Sequence, residues 1–261
     1  MNKPPEGKTY IVTGSSSGIG AQIVAYLREA GAQVIGVDIK PSENCNSFFV
    51  ADLGSAESID DLIARLPRGA SGLANIAGVP PTFAPEVVLR VNFLGLRRLT
   101  LGLVGKLADQ ASIVNVASLA GFGWRDALLD VRRLLNCDFG DDLVALGCEL
   151  GLETGGRSYF LSKETLIVWT MLNRWTWRDQ GIRMNCVSPG PVITPIHQDF
   201  LKTLGARAEE DARIMDRPAT PDDIAPTIAF LLSDESAWIR GSNIPVDGGM
   251  SSHLLMHAAG L

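Results

Sequence analysis

The stretch TYIVTGSSSGIG, residues 9–20, decides the fold. An apolar run of strand length leads into a turn with glycine at 14, 18 and 20. Helical periodicity follows, with Ile19, Ile23, Leu27 and Ala30 recurring at three and four. A strand, a glycine turn and a helix in that order aim backbone N–H groups and the positive end of a helix dipole at one point. That suits a pyrophosphate. Glycine is needed where the chain turns sharply or where a Cβ would block a ligand.

Working outward, further strand-length apolar runs stand at QVIGV (33–37), SFFVA (47–51), GLANIAG (72–78), SIVNVAS (112–118), IRMNCVS (182–188) and NIPVDGG (243–249). Helical patterns separate them. ESIDDLIARL carries Ile59, Leu62, Ile63 and Leu66 on one face, a long helix is expected around 86–107, and another begins after Ser158. Near-continuous apolar strands alternating with helices predict a parallel sheet covered on both faces. The expected fold is therefore a doubly wound, Rossmann-like α/β domain of about seven strands spanning 1–261, with no linker or repeat.

Residues 119–157 break that rhythm. Trp124, Ala127, Leu128, Val131, Leu134 and Leu135 form one apolar stripe, and Phe139, Leu143, Leu146 and Leu150 a weaker second one. Both belong to a helical insertion placed where a lid over a substrate would sit.

The second strand ends in Asp38. A carboxylate there can accept hydrogen bonds from ribose hydroxyls and would repel a 2′-phosphate. Ser15, Ser16 and Ser17 offer no cation to hold such a phosphate, so NAD is expected over NADP, with Lys40 the one nearby cation against it.

Composition narrows the class. A net charge of −6 with no basic run argues against nucleic acid, and the pairs at 97–98 and 132–133 read as solvated helix edges. Cys45, Cys137, Cys148 and Cys186 are scattered, as are His197, His253 and His257, so reduced, mostly buried thiols are expected, with no metal site. The opening MNKPPEGKTYIVTG lacks an apolar signal-like core, and no run approaches a membrane span. A cytoplasmic protein with no membrane segment is expected.

The spacing T-G-x-x-x-G-x-G, together with YFLSK at 159–163, resembles the short-chain dehydrogenase/reductase family. AD at 51–52, NIAG at 75–78, VN at 91–92, NVAS at 115–118, SPGPVITP at 188–195 and VDGG at 246–249 follow in the family's order, Ile76 departing from its N-N-A-G. The resemblance implies a catalytic set of Asn92, Ser118, Tyr159 and Lys163. It implies cofactor contacts from Gly14, Ser16, Ser17, Gly18, Ile19 and Gly20, then Asp38, Asp52 and Leu53, then Asn75, Ala77 and Gly78. Tyr159 and Lys163 would touch the cofactor too, Lys163 at the nicotinamide ribose, and Pro189, Gly190, Val192 and Thr194 would cradle the carboxamide. Asn92 would hold a water joining Lys163 to solvent. Within the family, the pattern with a long stretch before the tyrosine is similar to bacterial coniferyl-alcohol dehydrogenases and 3α-hydroxysteroid dehydrogenase/carbonyl reductases.

Tyr159 and Lys163 share a helix face at i and i+4. A free phenol titrates near ~10, too high for a base at neutral pH. A close ammonium and a positive nicotinamide ring are expected to lower it by two or three units, roughly 3–4 kcal/mol. Tyr159 would then take the alcohol proton while Ser118 steadies the same oxygen. Ser118, Leu119, Phe122, Trp124 and Tyr159 are the expected substrate contacts, and the substrate a bulky apolar alcohol or ketone: an aryl-allylic alcohol, a cyclic terpenol such as borneol, or a steroid.

The run TLIVWTMLNRWTW (165–177) is apolar most of the way round, so a homodimer or homotetramer is expected. Two other classes share such a fold: a non-catalytic dinucleotide sensor, and an epimerase or dehydratase that uses NAD transiently. The presence of Tyr159 and Lys163 weighs against the first, and the short chain after PGPVITP against the second.

Overall fold

The computed structural model describes residues 7–205 and 213–261. Residues 1–6, part of the stretch expected to carry no leader, lie outside them. The strands are β1 (Thr9–Thr13), β2 (Gln33–Asp38), β3 (Ser47–Val50), β4 (Ala70–Asn75), β5 (Leu107–Val116), β6 (Arg183–Pro189) and β7 (Asn243–Val246). They form one sheet in the order β3-β2-β1-β4-β5-β6-β7, parallel at every pairing. The helices are α1 (Gly18–Glu29), α2 (Ala56–Arg65), α3 (Pro85–Leu89), α4 (Leu96–Val104), α5 (Leu128–Asn136), α6 (Leu143–Glu149), α7 (Arg157–Leu172), α8 (His197–Leu204), α9 (Pro221–Leu232) and α10 (Met250–Ala258).

The two-residue period of the strands sorts the core into two layers. Tyr10 and Val12 of β1 face one side, with Ile23 and Leu27 of α1 and Ile224 and Ile228 of α9. Ile11 between them faces the other, with Ile59 and Leu62 of α2, Leu99 of α4 and Leu166 of α7. Each such fully buried aliphatic side chain contributes about 1.5–3 kcal/mol. Successive strands run outward from β1 in one direction and from β4 in the other. The crevice outside the carboxyl ends of β1 and β4 is therefore the natural ligand position.

The helix expected over 86–107 is interrupted. Residues Arg90–Gly95 form a π-helical turn between α3 and α4, and α4 stops at Val104. Gly95 sits against the Leu53 carbonyl, where a Cβ would stand 2.0 Å from the oxygen. Asn92, fully buried in that turn, is aimed at the Val79 peptide: its Oδ1 accepts from the Val79 N–H at 2.8 Å and its Nδ2 donates to the Val79 carbonyl at 3.1 Å. π-turns of this kind concentrate at functional sites.

The insertion is helical. After a 3-10 segment, Leu119–Arg125, α5 packs on α7 and α6 on α3. Val131, Leu134, Leu143 and Leu146 are buried in the same core layer as α4 and α7. Arg97, expected at a solvated edge, is instead turned inward. It lies over the Phe93 ring at 5.2 Å and donates to the carbonyls of Leu135 and Cys137, holding the carboxyl end of α5 on α4. The thiols also depart from expectation: Cys186 is buried, Cys45 and Cys137 are half-buried, and Cys148 is exposed. No helix among the described residues is long and apolar enough to cross a membrane.

Candidate active site

Backbone packing at the carboxyl ends of β1 and β4 builds the glycine turn. Gly14 has φ +68°, and a Cβ on it would meet the Ala77 backbone at 2.8 Å. The Thr13 hydroxyl accepts from the Ile76 and Ala77 N–H groups at 3.0 and 3.1 Å, tying the two strand ends together. A Cβ on Gly20 would stand 1.9 Å from the Gly14 carbonyl oxygen, so only glycine lets α1 begin this close to the sheet. Ser17, the residue before α1, makes no side-chain cap bond, and the first turn holds no acid. The first N–H groups of the helix are therefore left for a ligand.

Asp38 ends β2 at the rim of this turn. Its Oδ2 accepts from the Ser16 N–H at 3.1 Å and its Oδ1 from the Lys40 N–H at 3.2 Å. Ser16 donates its own hydroxyl to the Lys40 carbonyl at 2.7 Å, so it shapes the loop from behind. Asp52 accepts from the Gly54 N–H at 2.7 Å. On the far side, Gly190 lies against Asp247, whose carboxylate accepts from the N–H groups of Gly249 and Ser251 at the start of α10.

A cleft of roughly 750 Å³ runs along these ends. Gly14, Ser17, Gly18, Ile19, Gly20, Asp38, Asp52 and Leu53 line one end, and Ala77, Gly78, Pro189, Gly190, Val192 and Thr194 its middle. Ser118, Leu119, Tyr159 and Lys163 line the remainder. Ser16, Asn75, Asn92, Phe122 and Trp124 are not among the lining residues. Asn75 instead donates to Thr100 Oγ1 and Asn115 Oδ1, both at 2.9 Å, and Asn115 donates to Thr170 at 3.0 Å. This buried bracket joins β4 and β5 to the helices on one face. Phe122 and Trp124 lie outside the cleft, Trp124 against the core layer that the insertion shares with α4 and α7, with Arg125 over its ring at 4.4 Å. Of the insertion, Leu119 and Ala120 reach the cleft.

Tyr159 stands in the first turn of α7 and Lys163 in the next. The Lys163 Nζ donates to the Val116 carbonyl at 2.8 Å and lies 5.5 Å from the Tyr159 ring centre. Ser118 accepts from the Ala120 N–H at 3.1 Å, which leaves its O–H free to donate. Burial pushes the Tyr159 phenol up to about 12, and only its hydrogen bond with Ser118 acts the other way. Burial likewise lowers Lys163 to about 8. In the cleft without a ligand, burial therefore rules both groups, and the ammonium does not act on the phenol. Lys163 reaches a carbonyl, and not the phenol oxygen.

The cleft wall facing these groups comes from segments the sequence reading did not single out. Pro80, Pro81 and Phe83 follow β4, Phe160 is next to the tyrosine, and Ile196, His197, Phe200 and Leu201 belong to or precede α8. The Phe200 and Tyr159 rings meet edge-on at 4.8 Å and 74°. The signal for them was the spacing of His197, Phe200 and Leu201, at i, i+3 and i+4 just after the PGPVITP loop. Behind the wall, Arg157 pairs with buried Glu164 at 2.7 Å and with Asp130 of α5 at 3.3 Å, anchoring the amino end of α7 to the insertion.

Known proteins match this chain throughout. The family model described as short chain dehydrogenase matches residues 8–125, and the one described as Enoyl-(Acyl carrier protein) reductase matches 145–251. A coniferyl-alcohol dehydrogenase of Pseudomonas sp. is 43% identical over 94% of this chain and 97% of its own. A 3-alpha-hydroxysteroid dehydrogenase/carbonyl reductase of Comamonas testosteroni is 30% identical, over 93% and 96%. The crystal structure of a 3-alpha-hydroxysteroid dehydrogenase from Pseudomonas sp. B-0831, complexed with NADH, superposes with a TM-score of 0.81 at 31% identity, covering 96% of this chain and 99% of that one. Sheet order, glycine turn, Tyr159 with Lys163, and matches spanning nearly the full length agree: this chain belongs to the short-chain dehydrogenase/reductase family.

Proposed function

We propose that this protein is an NAD-dependent alcohol dehydrogenase and ketone reductase acting on a bulky, largely apolar alcohol, an aryl-allylic alcohol foremost. The observation that carries the reading is the convergence of Tyr159, Ser118 and Lys163 on one cleft with the glycine turn. The open amino end of α1 suits a diphosphate, and Asp38 at the strand end suits an unphosphorylated ribose diol. The apolar wall of Phe83, Phe160, Phe200, Leu119 and Leu201 suits an aryl group. A coniferyl-alcohol dehydrogenase at 43% identity points the same way.

When bound, the nicotinamide supplies the hydride acceptor and, in its oxidised form, a positive charge beside the phenol. Ser118 donates its O–H to the carbinol oxygen and stabilises the charge that develops there. Tyr159, as phenolate, takes the carbinol proton, and in ketone reduction it returns one. Starting from about 12, the phenol must fall by several units to act near neutral pH, each unit needing about 1.4 kcal/mol. The positive charge of an oxidised nicotinamide would act in that direction, whereas the single O–H of Ser118, once given to the carbinol oxygen, no longer does. Lys163, tethered to the Val116 carbonyl, would hold the nicotinamide ribose and, while protonated, would add its charge. Asn92 pins the Val79 peptide and with it the cleft floor beside Gly78.

The test is reduced-nicotinamide absorbance at 340 nm (a property of the cofactor) with purified protein, NAD or NADP, and coniferyl alcohol, borneol or a 3-hydroxysteroid. NAD with the aryl alcohol should give the highest kcat/KM. Turnover confined to the steroid would favour a 3α-hydroxysteroid dehydrogenase, and preference for a small charged hydroxy acid would contradict the substrate reading.

A further inference from the structure

The wall of the cleft opposite Tyr159 carries one side chain that apolar packing does not explain. Among the described lining residues, the ionisable groups are Asp38, Lys40 and Asp52 at the glycine-turn end, Tyr159 and Lys163 at the reacting end, and His197. His197 opens α8 and makes no side-chain hydrogen bond or ion pair with any described residue. His197 is only half-buried, so water can hydrogen-bond its ring nitrogens until a ligand enters. The imidazole is thus a donor and acceptor held open towards whatever enters the cleft.

Its position sets what that can be. Phe200 lies three residues on, and its ring meets the Tyr159 ring at 4.8 Å. Side chains three apart on a helix face the same way, with Cβ atoms about 5–6 Å apart. His197 therefore stands one helical turn beyond the ring that touches the catalytic phenol. An elongated, planar phenyl-propenol fits that order of groups, with its carbinol at Tyr159 and Ser118 and its ring among the phenylalanines.

We propose that His197 is a specificity-determining residue, hydrogen-bonding a phenolic hydroxyl at the far end of an aryl-allylic alcohol whose carbinol oxygen lies at Tyr159 and Ser118. The proposal rests on the dehydrogenase reading above and goes further: it assigns a polar contact and a substituent. An alcohol without a distal hydroxyl displaces water from the imidazole and returns no hydrogen bond, and the cleft then discriminates against it.

The experiment compares 4-hydroxycinnamyl alcohol with cinnamyl alcohol, both with NAD, as the ratio of kcat/KM values. Parent protein, His197→Leu and His197→Gln are assayed. The parent ratio should favour the hydroxylated alcohol about three- to tenfold, the range of one net hydrogen bond. It should fall towards one in His197→Leu and largely return in His197→Gln. A parent ratio near one overturns the proposal without any variant, as does an unchanged ratio in His197→Leu. Turnover of borneol or a hydroxysteroid but of neither cinnamyl alcohol overturns it while leaving the dehydrogenase reading intact. Turnover of no alcohol at all overturns both.

Discussion

The Lys163 ammonium donates to the Val116 carbonyl at 2.8 Å while lying 5.5 Å from the centre of the Tyr159 ring. The lysine is thus tethered to the end of β5, beside the phenol but not bonded to it. Burial dominates both groups, raising the phenol to about 12 and lowering the ammonium to about 8. Burial shifts each group towards its uncharged form, although Lys163 stays protonated below about pH 8, and acidification of the phenol must come with the bound ligands.

Lys163 should therefore cost stability while serving activity. Its folded value lies below the unfolded 10.5, so the penalty is full below about pH 8 and is relieved as pH rises towards 10.5. The difference corresponds to a few kcal/mol, on the order of 3. Lys163→Met should raise the unfolding midpoint in urea at pH 7 and abolish alcohol oxidation. The parent alone should gain stability between pH 8 and 10 from this group, until Tyr159, protonated when folded to about 12, begins to oppose it above 10. A Lys163→Met protein less stable than the parent at pH 7 would contradict the assignment of burial as the ruling cause.

Asp38 should set cofactor choice. Its carboxylate is fixed by the N–H groups of Ser16 and Lys40, so it cannot swing away from a 2′-phosphate. Asp38→Ser should lower kcat/KM with NAD and raise it with NADP, shifting the NAD/NADP ratio by about 100-fold or more, two charge-assisted contacts of about 1.5 kcal/mol each. An unchanged ratio would remove Asp38 from the ribose site.

Gly20→Ala should fail as a cofactor binder. Its Cβ would fall 1.9 Å from the Gly14 carbonyl oxygen, a backbone atom held by the β1–β4 junction. The turn must shift, so NAD affinity should drop at least tenfold, about 1.4 kcal/mol, with stability lost as well. Titration calorimetry with NAD decides it.

Much of this architecture was legible in the chain. The seven apolar runs became the seven strands, the five inner ones because a parallel sheet covered on both faces leaves little polar alternation to blur them, while the edge strands β3 and β7 are only partly buried. Tyr159 and Lys163 were legible because a four-residue spacing survives any packing of α7. The π-turn at Asn92 was not: one extra residue per turn barely disturbs an apolar stripe, and the cause, Gly95 against Leu53, is tertiary. The stripe of the insertion gave helices but not their direction. Trp124 and Val131 turn towards the core layer shared with α4 and α7, and Arg97 of α4 bonds the carboxyl end of α5, contacts between distant segments that a stripe does not encode. Asn75 reads from its motif as a cofactor contact, yet its amide nitrogen donates to Thr100 and Asn115, while its side-chain oxygen is buried without a partner.

The anchor between α5 and α7 should be worth more than a surface ion pair. Glu164 is buried, and burial already raises its carboxyl despite Arg157. Arg157→Met leaves that carboxylate unpaired and should cost about 2 kcal/mol at pH 7, less than a fully buried pair because Arg157 is partly exposed. A carboxyl raised in the folded state is a penalty present at neutral pH and removed by acid. The deficit of the variant in urea unfolding should therefore shrink as pH falls towards 5. A deficit independent of pH would assign the effect to lost packing alone.

The chemistry itself turns on one oxygen atom. Single-turnover hydride transfer in Tyr159→Phe, with NAD and coniferyl alcohol saturating, tests it most directly. The ring and its contact with Phe200 survive this substitution, so binding should persist while the rate falls by about 100- to 10,000-fold. A variant that transfers hydride as fast as the parent would show that the proton leaves by another route.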